Sequence, residues 1–139
     1  MLLSRLAKHS RKYENKNVRF RMDKTREFFA KFKTDIDKLK TEIPDTLQGL
    51  GGLFQKVMKD GALTVKEKEL IALSIGVAMH CPPCIRSHVQ KCLDHGATRQ
   101  QILEAASVAV VMAGGPAYVH LPMVLDTLDD LANGGSDKK

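Results

Sequence analysis

Four residues of reactive type are concentrated in one short stretch of the chain. Glu69 is followed by two cysteines separated by two residues, Cys81 and Cys84, and then by His88. Two thiols at this spacing can close a disulfide with little movement of the backbone. At the first turn of a helix, free N–H groups and the positive end of the helix dipole favour a thiolate over a thiol.

The histidine and the glutamate can hold and move a proton for these thiols. His88 follows Cys84 by four residues, so the two side chains would lie on the same helix face. The imidazole could then exchange a proton with the thiol. A carboxylate from the preceding helix, Glu69, could orient the imidazole and stabilise its charged form, as the third member of a nucleophilic triad does. The pattern indicates a thiol redox centre with its own proton relay.

The same stretch resembles the alkylhydroperoxidase D-like branch of the carboxymuconolactone decarboxylase family. The core of that branch is Glu-x11-Cys-x2-Cys-x3-His, and Glu69, Cys81, Cys84 and His88 fill its four positions. The flanks TVKEKELIALSIG and HVQKCLDHGATRQQILEAASVAVVMAGGPA agree as well, so the resemblance covers residues 44–131.

The resemblance implies a thiol-dependent peroxidase or disulfide reductase of antioxidant defence. Cys81 and Cys84 would form its redox disulfide, and Glu69 and His88 would complete the catalytic set. It implies no tightly bound cofactor, but an external dithiol reductant such as a lipoyl group or a thioredoxin-like partner. The expected partners are further copies of the chain, as a trimer or hexamer, and a lipoyl-bearing or peroxiredoxin-like protein.

The chain departs from the family pattern between the two cysteines. Some members carry another histidine there, whereas this chain has Pro82-Pro83. The missing proton carrier affects the expected peroxidase rate more than thiol–disulfide exchange. Two other histidines are candidates near the motif: His80 could be a second proton carrier, and His120 could face the site from a second subunit. A helix cap for His80 and a core or surface position for His120 are the simpler interpretations.

Zinc binding is a competing interpretation, because Cys92 adds a possible fourth ligand. Cys84, His88 and Cys92 would form a row of about 12 Å along one helix. Zinc ligands all lie within about 2.3 Å of the metal, so one helix supplies two neighbours of that row but not three. Zinc would then need Cys81 and an outside group such as Glu69. We therefore expect no metal, and we expect Cys92 to be a small buried apolar residue.

Two functions without thiol chemistry also remain open. The first is decarboxylation of a lactone carboxylate, which needs acid–base residues but no cysteines. The second is a non-enzymatic oligomeric scaffold, whose cysteine pair would resist oxidation at neutral pH. Nucleic-acid binding is disfavoured, because no aromatic interleaving or binding motif accompanies the basic residues.

The apolar periodicity predicts an all-α bundle of about six helices with a central antiparallel helix pair carrying the Cys-x2-Cys motif. Capping boxes at Thr64-x-x-Glu67 and Thr98-x-x-Gln101 mark two helix starts, and Gly96 a helix end. A last helix should begin at Pro116, with a short kink at Pro122. The turn at the cysteines reverses the chain and should bring Glu69 to the level of His88.

The basic character of the chain belongs to its N-terminal part. Residues 1–40 hold 13 Lys and Arg against 5 Asp and Glu, whereas residues 41–139 hold 9 against 11. We predict a basic leader over residues 1–21, one helical domain over residues 22–132 and a solvated tail over residues 133–139. The odd cysteine count and the absence of a long apolar run predict a cytoplasmic protein without a membrane anchor.

Overall fold

The computed structural model describes residues 25–134, and these residues fold entirely into helices and their connections. The predicted all-α class is therefore confirmed. The predicted leader and the last residues of the predicted tail lie outside the described part. The helices are α1 over residues 25–42, α2 Pro44–Val57, α3 Val65–Ala78, α4 Pro82–Asp94, α5 Arg99–Ala113, α6 Gly115–Tyr118 and α7 Leu121–Gly134.

Two helices begin at the predicted capping boxes. The Thr64 N–H donates to Glu67 Oε2 at 2.6 Å, and the Glu67 N–H donates to Thr64 Oγ1 at 3.2 Å. Thr98 and Gln101 make the same reciprocal pair at 2.9 and 3.1 Å. Each box satisfies N–H groups that the first turn of a helix leaves without partners, which fixes where α3 and α5 start.

The core lies between α3, α4, α5 and α7. Helix α3 packs on α4 and α5, and α4 also packs on α7. The buried apolar side chains interlock across these contacts: Leu73, Val77, Ile85, Val89, Cys92, Ala97, Ile102, Ala106, Ala109, Ala117, Val124 and Leu128. Helices α3 and α4 therefore form the predicted central pair, and their connection carries the two cysteines.

Helix α2 lies outside this core. None of its residues is buried, and its larger apolar side chains are exposed. It is attached through Lys91, whose Nζ lies 4.0 Å from the ring centroid of Phe54, and through Lys68, whose Nζ donates to the carbonyl of Val57 at 2.8 Å. Packing normally supplies most of the stability of a helix this short, so α2 draws little stability from the core described above.

The last helix, predicted to run from Pro116 with a short kink at Pro122, is interrupted rather than kinked. Helix α6 ends at Tyr118, and α7 starts separately at Leu121. Pro122 explains the break, because it has no N–H to donate and its ring would clash with the carbonyl of Tyr118 four residues earlier. The break leaves His120 in a short connection rather than inside a helix. Among residues 25–134, no helix is both long and apolar enough to cross a bilayer.

Candidate functional site

The two cysteines of the motif are joined by a disulfide at the start of α4. Cys81 is the N-cap residue, Cys84 lies in the first turn, and their Cα atoms are 5.3 Å apart. Pro82 and Pro83 occupy the positions between them. In the first turn of a helix an N–H group has no acceptor within the helix, so proline loses no hydrogen bond there. Both sulfurs therefore lie at the end of α4 where free N–H groups and the helix dipole favour negative charge.

A glycine allows the cysteine-bearing helix to approach α3 closely. A Cβ placed on Gly76 would lie 3.1 Å from Cys84 Cβ and 3.5 Å from the backbone nitrogen of Ile85. Gly76 also accepts a hydrogen bond at 3.0 Å from the N–H of Cys81 through its carbonyl. The position of both cysteines thus depends on the absence of a side chain at this residue.

Glu69 and His88 form a hydrogen-bonded pair between the two central helices. His88 Nδ1 lies 2.6 Å from Glu69 Oε2. Glu69 is 2% exposed, and the His88 side chain is 16% exposed. The expectation that the chain reversal brings these residues together is confirmed. A carboxylate can only accept, so Nδ1–H is the donor and Nε2 is left to exchange a proton.

Cys92 lies one turn beyond His88 and is fully buried, as predicted for a small apolar residue. Burial, followed by the charge of Glu69, raises the pKa of its thiol to about 12. A thiol in that state is a poor nucleophile. In the part of the chain that the structure describes, no three His, Cys, Asp or Glu side chains converge as metal ligands would.

Two histidines that the sequence did not pair lie together at this end of the bundle. The ring of His80 stacks on the ring of His120, with centroids 5.0 Å apart and planes inclined by 19°. His80 immediately precedes Cys81, and His120 lies in the connection between α6 and α7. No local pattern could have linked them, because they are 40 positions apart and meet only through tertiary packing.

A second missed feature is a buried polar clamp on α4. Arg86 donates to Thr25 Oγ1 at 3.1 Å, and the Thr25 hydroxyl donates to Asp130. The guanidinium carbon of Arg86 also lies 5.6 Å from the ring centroid of Phe28. The clamp ties α1 and α7 to the helix that carries Cys84, and it uses the buried side chains of Thr25 and Asp130.

An apolar cavity opens beside His120. It has a volume of about 600 Å³, and its walls come from α5, α6, α7 and the connection between the last two. No charged side chain lines it. The lining residues are Leu103, Tyr118, Val119, Leu121, Pro122 and Leu125. The chain neighbours of His120 on both sides therefore belong to the wall.

Comparison with protein families matches residues 44–125 to the carboxymuconolactone decarboxylase family. Two curated bacterial proteins are similar. Protein 4 of the cox locus of Paracoccus denitrificans is 42% identical over 79 residues, which are 57% of this chain and 71% of that protein. A protein of Cupriavidus necator is 35% identical over a match of 109 positions, and the match covers 70% of this chain and 96% of that protein.

Solved structures of the same family share the fold. A family member from Legionella pneumophila, crystallised in its apo form, is 37% identical and superposes with a TM-score of 0.74. The match covers 78% of this chain and 96% of that one. A Thermotoga maritima member is 27% identical with a TM-score of 0.71, over 78% and 93% of the two chains. For the latter, a part in the antioxidative response has been suggested.

Proposed function

Because the chain belongs to the carboxymuconolactone decarboxylase family, we propose that it is a thiol-dependent peroxidase or disulfide reductase of its alkylhydroperoxidase D-like branch. The observation that carries the proposal is the hydrogen bond between Glu69 and His88 one turn from a Cys81–Cys84 disulfide. An oxidisable pair and a held imidazole are the two components that this chemistry needs. The suggested antioxidative role of the Thermotoga maritima relative agrees with it.

The peroxidase step uses the reduced pair. A Cys84 thiolate attacks one oxygen of the peroxide, an S–O bond forms and the O–O bond breaks. The leaving oxygen takes a proton from His88 and departs as an alcohol or water. Cys81 then attacks the sulfenic sulfur of Cys84, closing the disulfide and releasing water. The helix start favours Cys81 as the more acidic thiol, and proximity to His88 favours Cys84 as the first nucleophile.

Reduction of the disulfide completes the cycle. A dithiol donor, either a lipoyl group or a thioredoxin-like protein, attacks the pair, forms a mixed disulfide and leaves as its own disulfide. The cysteines return to two thiols, so the two electrons pass from donor to peroxide. The apolar cavity beside His120 has the size of a small-molecule site and would suit the hydrocarbon part of such a donor or of an organic peroxide.

Glu69 acts in this proposal through the imidazole rather than on the substrate. Its carboxylate accepts the Nδ1 proton, which selects the tautomer whose Nε2 is free for proton exchange. It also stabilises the imidazolium that forms when a thiol ionises. Burial between α3 and α4 strengthens both effects, because less water screens the charges.

We also propose that the protein is a homo-oligomer, a trimer or hexamer, working in the reducing cytoplasm. Large apolar side chains are exposed on the outer faces of α2, α3 and α5, and Val111 is 84% exposed. Large exposed apolar patches often mark surfaces that contact another protein. The residues are Leu50, Leu53, Val57, Ile71, Ile75, Met79, Val108, Val111 and Met112. Native mass spectrometry that finds only the 15.4 kDa chain would contradict this assembly.

Steady-state turnover of an organic peroxide with a panel of dithiol donors tests the function. Wild-type protein should consume peroxide with at least one donor, and the Cys81→Ser, Cys84→Ser double variant should consume none. Cys92→Ser is the matched control, since it removes a thiol outside the pair. Peroxide consumption by the double variant at the wild-type rate would contradict the thiol mechanism, and decarboxylation of a lactone carboxylate by that variant would favour the thiol-free alternative. Absence of wild-type turnover, with a pair that resists oxidation at neutral pH, would favour a scaffold.

A further inference from the structure

The residue immediately before the redox pair has a backbone conformation that suits glycine. His80 has a φ of 53°, in the left-handed region. Its N–H donates to the carbonyl of Val77 at 3.1 Å, and the N–H of Cys81 donates to the carbonyl of Gly76 at 3.0 Å. These two bonds are the Schellman motif that closes a helix, and glycine is the usual residue at the left-handed position.

The next helix of the chain has glycine, which adopts this conformation without strain, at the corresponding position. Helix α4 ends in the same motif, with Gly96 at a φ of 78°. The N–H of Gly96 donates to Leu93 at 3.0 Å, and the N–H of Ala97 donates to Cys92 at 2.9 Å. The left-handed position therefore carries glycine at one helix end and an imidazole at the other. A strained side chain that persists beside a reactive group points to a role for that side chain.

The second observation is the partner of this imidazole. His80 is exposed and stacks on His120, which is half-buried. His120 Nδ1 lies 2.8 Å from the carbonyl oxygen of Pro116. A carbonyl only accepts, so Nδ1–H is the donor and Nε2 of His120 carries the free lone pair. The connection between α6 and α7 thus holds one tautomer of a basic ring against the residue next to Cys81.

The ion pairs formed within residues 25–134 include neither His80 nor His120. Along the chain, the titratable residues closest to the pair are Tyr118, two residues before His120, and the cysteines at the start of α4, while Glu69 is bound to His88. Unlike His88, the stacked pair is therefore not held by a carboxylate of the described residues.

We propose that His80 and His120 form a second acid–base pair of the redox site, which serves exchange at Cys81 while Glu69 and His88 serve Cys84. This inference rests on the proposed function and adds to it a base for the reducing half of the cycle. Each sulfur of the disulfide would then have its own acid–base pair.

The step is a thiol–disulfide exchange. The incoming thiol gives its proton to the stacked pair, and its thiolate attacks Cys81 Sγ. A bond forms between the donor sulfur and Cys81, the Cys81–Cys84 bond breaks, and Cys84 leaves as a thiolate that His88 can protonate. The second donor thiol gives its proton through His88 to Cys84, and its thiolate attacks the donor sulfur of the mixed disulfide, so the bond between that sulfur and Cys81 breaks. The donor leaves oxidised, and Cys81 regains a proton from the stacked pair.

The His80→Gly variant tests the proposal, because it should slow the reaction without destabilising the fold. Glycine relieves the left-handed strain, so the thermal midpoint should stay or rise. The rate at which dithiothreitol reduces the oxidised protein would be measured by acid quench, maleimide labelling of the free thiols and mass spectrometry. At pH 7 we expect the rate to fall on the order of 10-fold, less than the 10²–10⁴-fold of a sole acid–base group because a thiol also ionises unaided.

The pH dependence separates proton transfer from a structural role. Above about pH 9.5 the donor is already a thiolate, since free thiols have a pKa of about 8.5, so His80→Gly and wild type should react equally fast. His120→Gln should behave in the same way. His95→Asn is the matched control, because His95 is an exposed histidine at the far end of α4, and its rate should match wild type.

Each outcome decides for or against the pair. A His80→Gly rate within twofold of wild type at pH 7 would overturn the proposal, as would a deficit that is equal at pH 7 and pH 9.5. If wild type itself consumes no peroxide with any donor, the proposed function fails first. If wild type turns over and the His80→Gly rate is unchanged, only the second pair is disproved.

Discussion

His88 Nδ1 lies 2.6 Å from a carboxylate oxygen of Glu69, although the two residues are 19 positions apart on different helices. The contact crosses the interface between α3 and α4, and the carboxylate is almost completely buried there. A buried carboxylate is costly unless it is hydrogen-bonded, so this pair gives Glu69 the partner it requires. The same contact orients the imidazole that follows Cys84 by four residues.

Replacing the imidazole while keeping a donor for the carboxylate should remove activity and leave the fold. The His88→Gln amide can still donate to Glu69, so helix content by circular dichroism should stay unchanged. Peroxide turnover should fall on the order of 10²-fold, because a general acid–base group is lost. His95→Gln, at an exposed position at the C-terminal end of α4, is the control. A large loss of helicity in His88→Gln would identify the residue as structural.

Cys92 should be inert in the folded protein. Its pKa is raised to about 12, so the thiolate is scarce at pH 8 and the side chain is buried as well. After reduction, iodoacetamide at pH 8 should add two groups to the native chain and a third only after denaturation. Mass spectrometry counts the groups directly. Three groups on the native protein, or a disulfide involving Cys92 after mild oxidation, would mean that the redox pair is misassigned.

Adding one methyl group at Gly76 should disturb the cysteine pair. The new Cβ would lie 3.1 Å from Cys84 Cβ, and the backbone of Ile85 limits how far α4 can adjust. We expect Gly76→Ala to cost about 1–3 kcal/mol of unfolding free energy, in the range of an overpacked core, and to slow closure of the disulfide. Gly51→Ala is the control, because among residues 25–134 a Cβ there has no neighbouring atom within 4 Å. A stable Gly76→Ala variant with normal disulfide closure would show that α4 does not depend on this approach.

The parts of the fold that the sequence predicts are those fixed by local chemistry. Capping boxes set the starts of α3 and α5, and the spacing of Glu69, Cys81, Cys84 and His88 placed the central contact correctly. Helix periodicity and a chain reversal at the cysteines are enough for that inference. No knowledge of other contacts is needed.

The missed features all depend on residues that are distant in the chain. The stack of His80 on His120 joins two connections that are 40 positions apart, one before α4 and one before α7. The Arg86–Thr25–Asp130 clamp joins three helices through side chains whose types are individually common on surfaces. Neither arrangement has a spacing pattern, because tertiary packing alone brings these residues together.

The Glu69→Gln variant tests the central claim, because it separates a redox centre with a proton relay from a simple cysteine pair. Glutamine keeps the volume and a hydrogen bond to His88 but removes the charge that stabilises the imidazolium. Glu104→Gln, at an exposed position of α5, is the matched control.

The measurement is peroxide turnover together with the rate of iodoacetamide alkylation as a function of pH, on wild type and both variants. For Glu69→Gln the account predicts a loss of turnover on the order of 10²-fold, little change in its dependence on substrate concentration, and slower alkylation near neutral pH. Turnover and alkylation profiles that both match wild type would reduce Glu69 to a packing residue and contradict the relay.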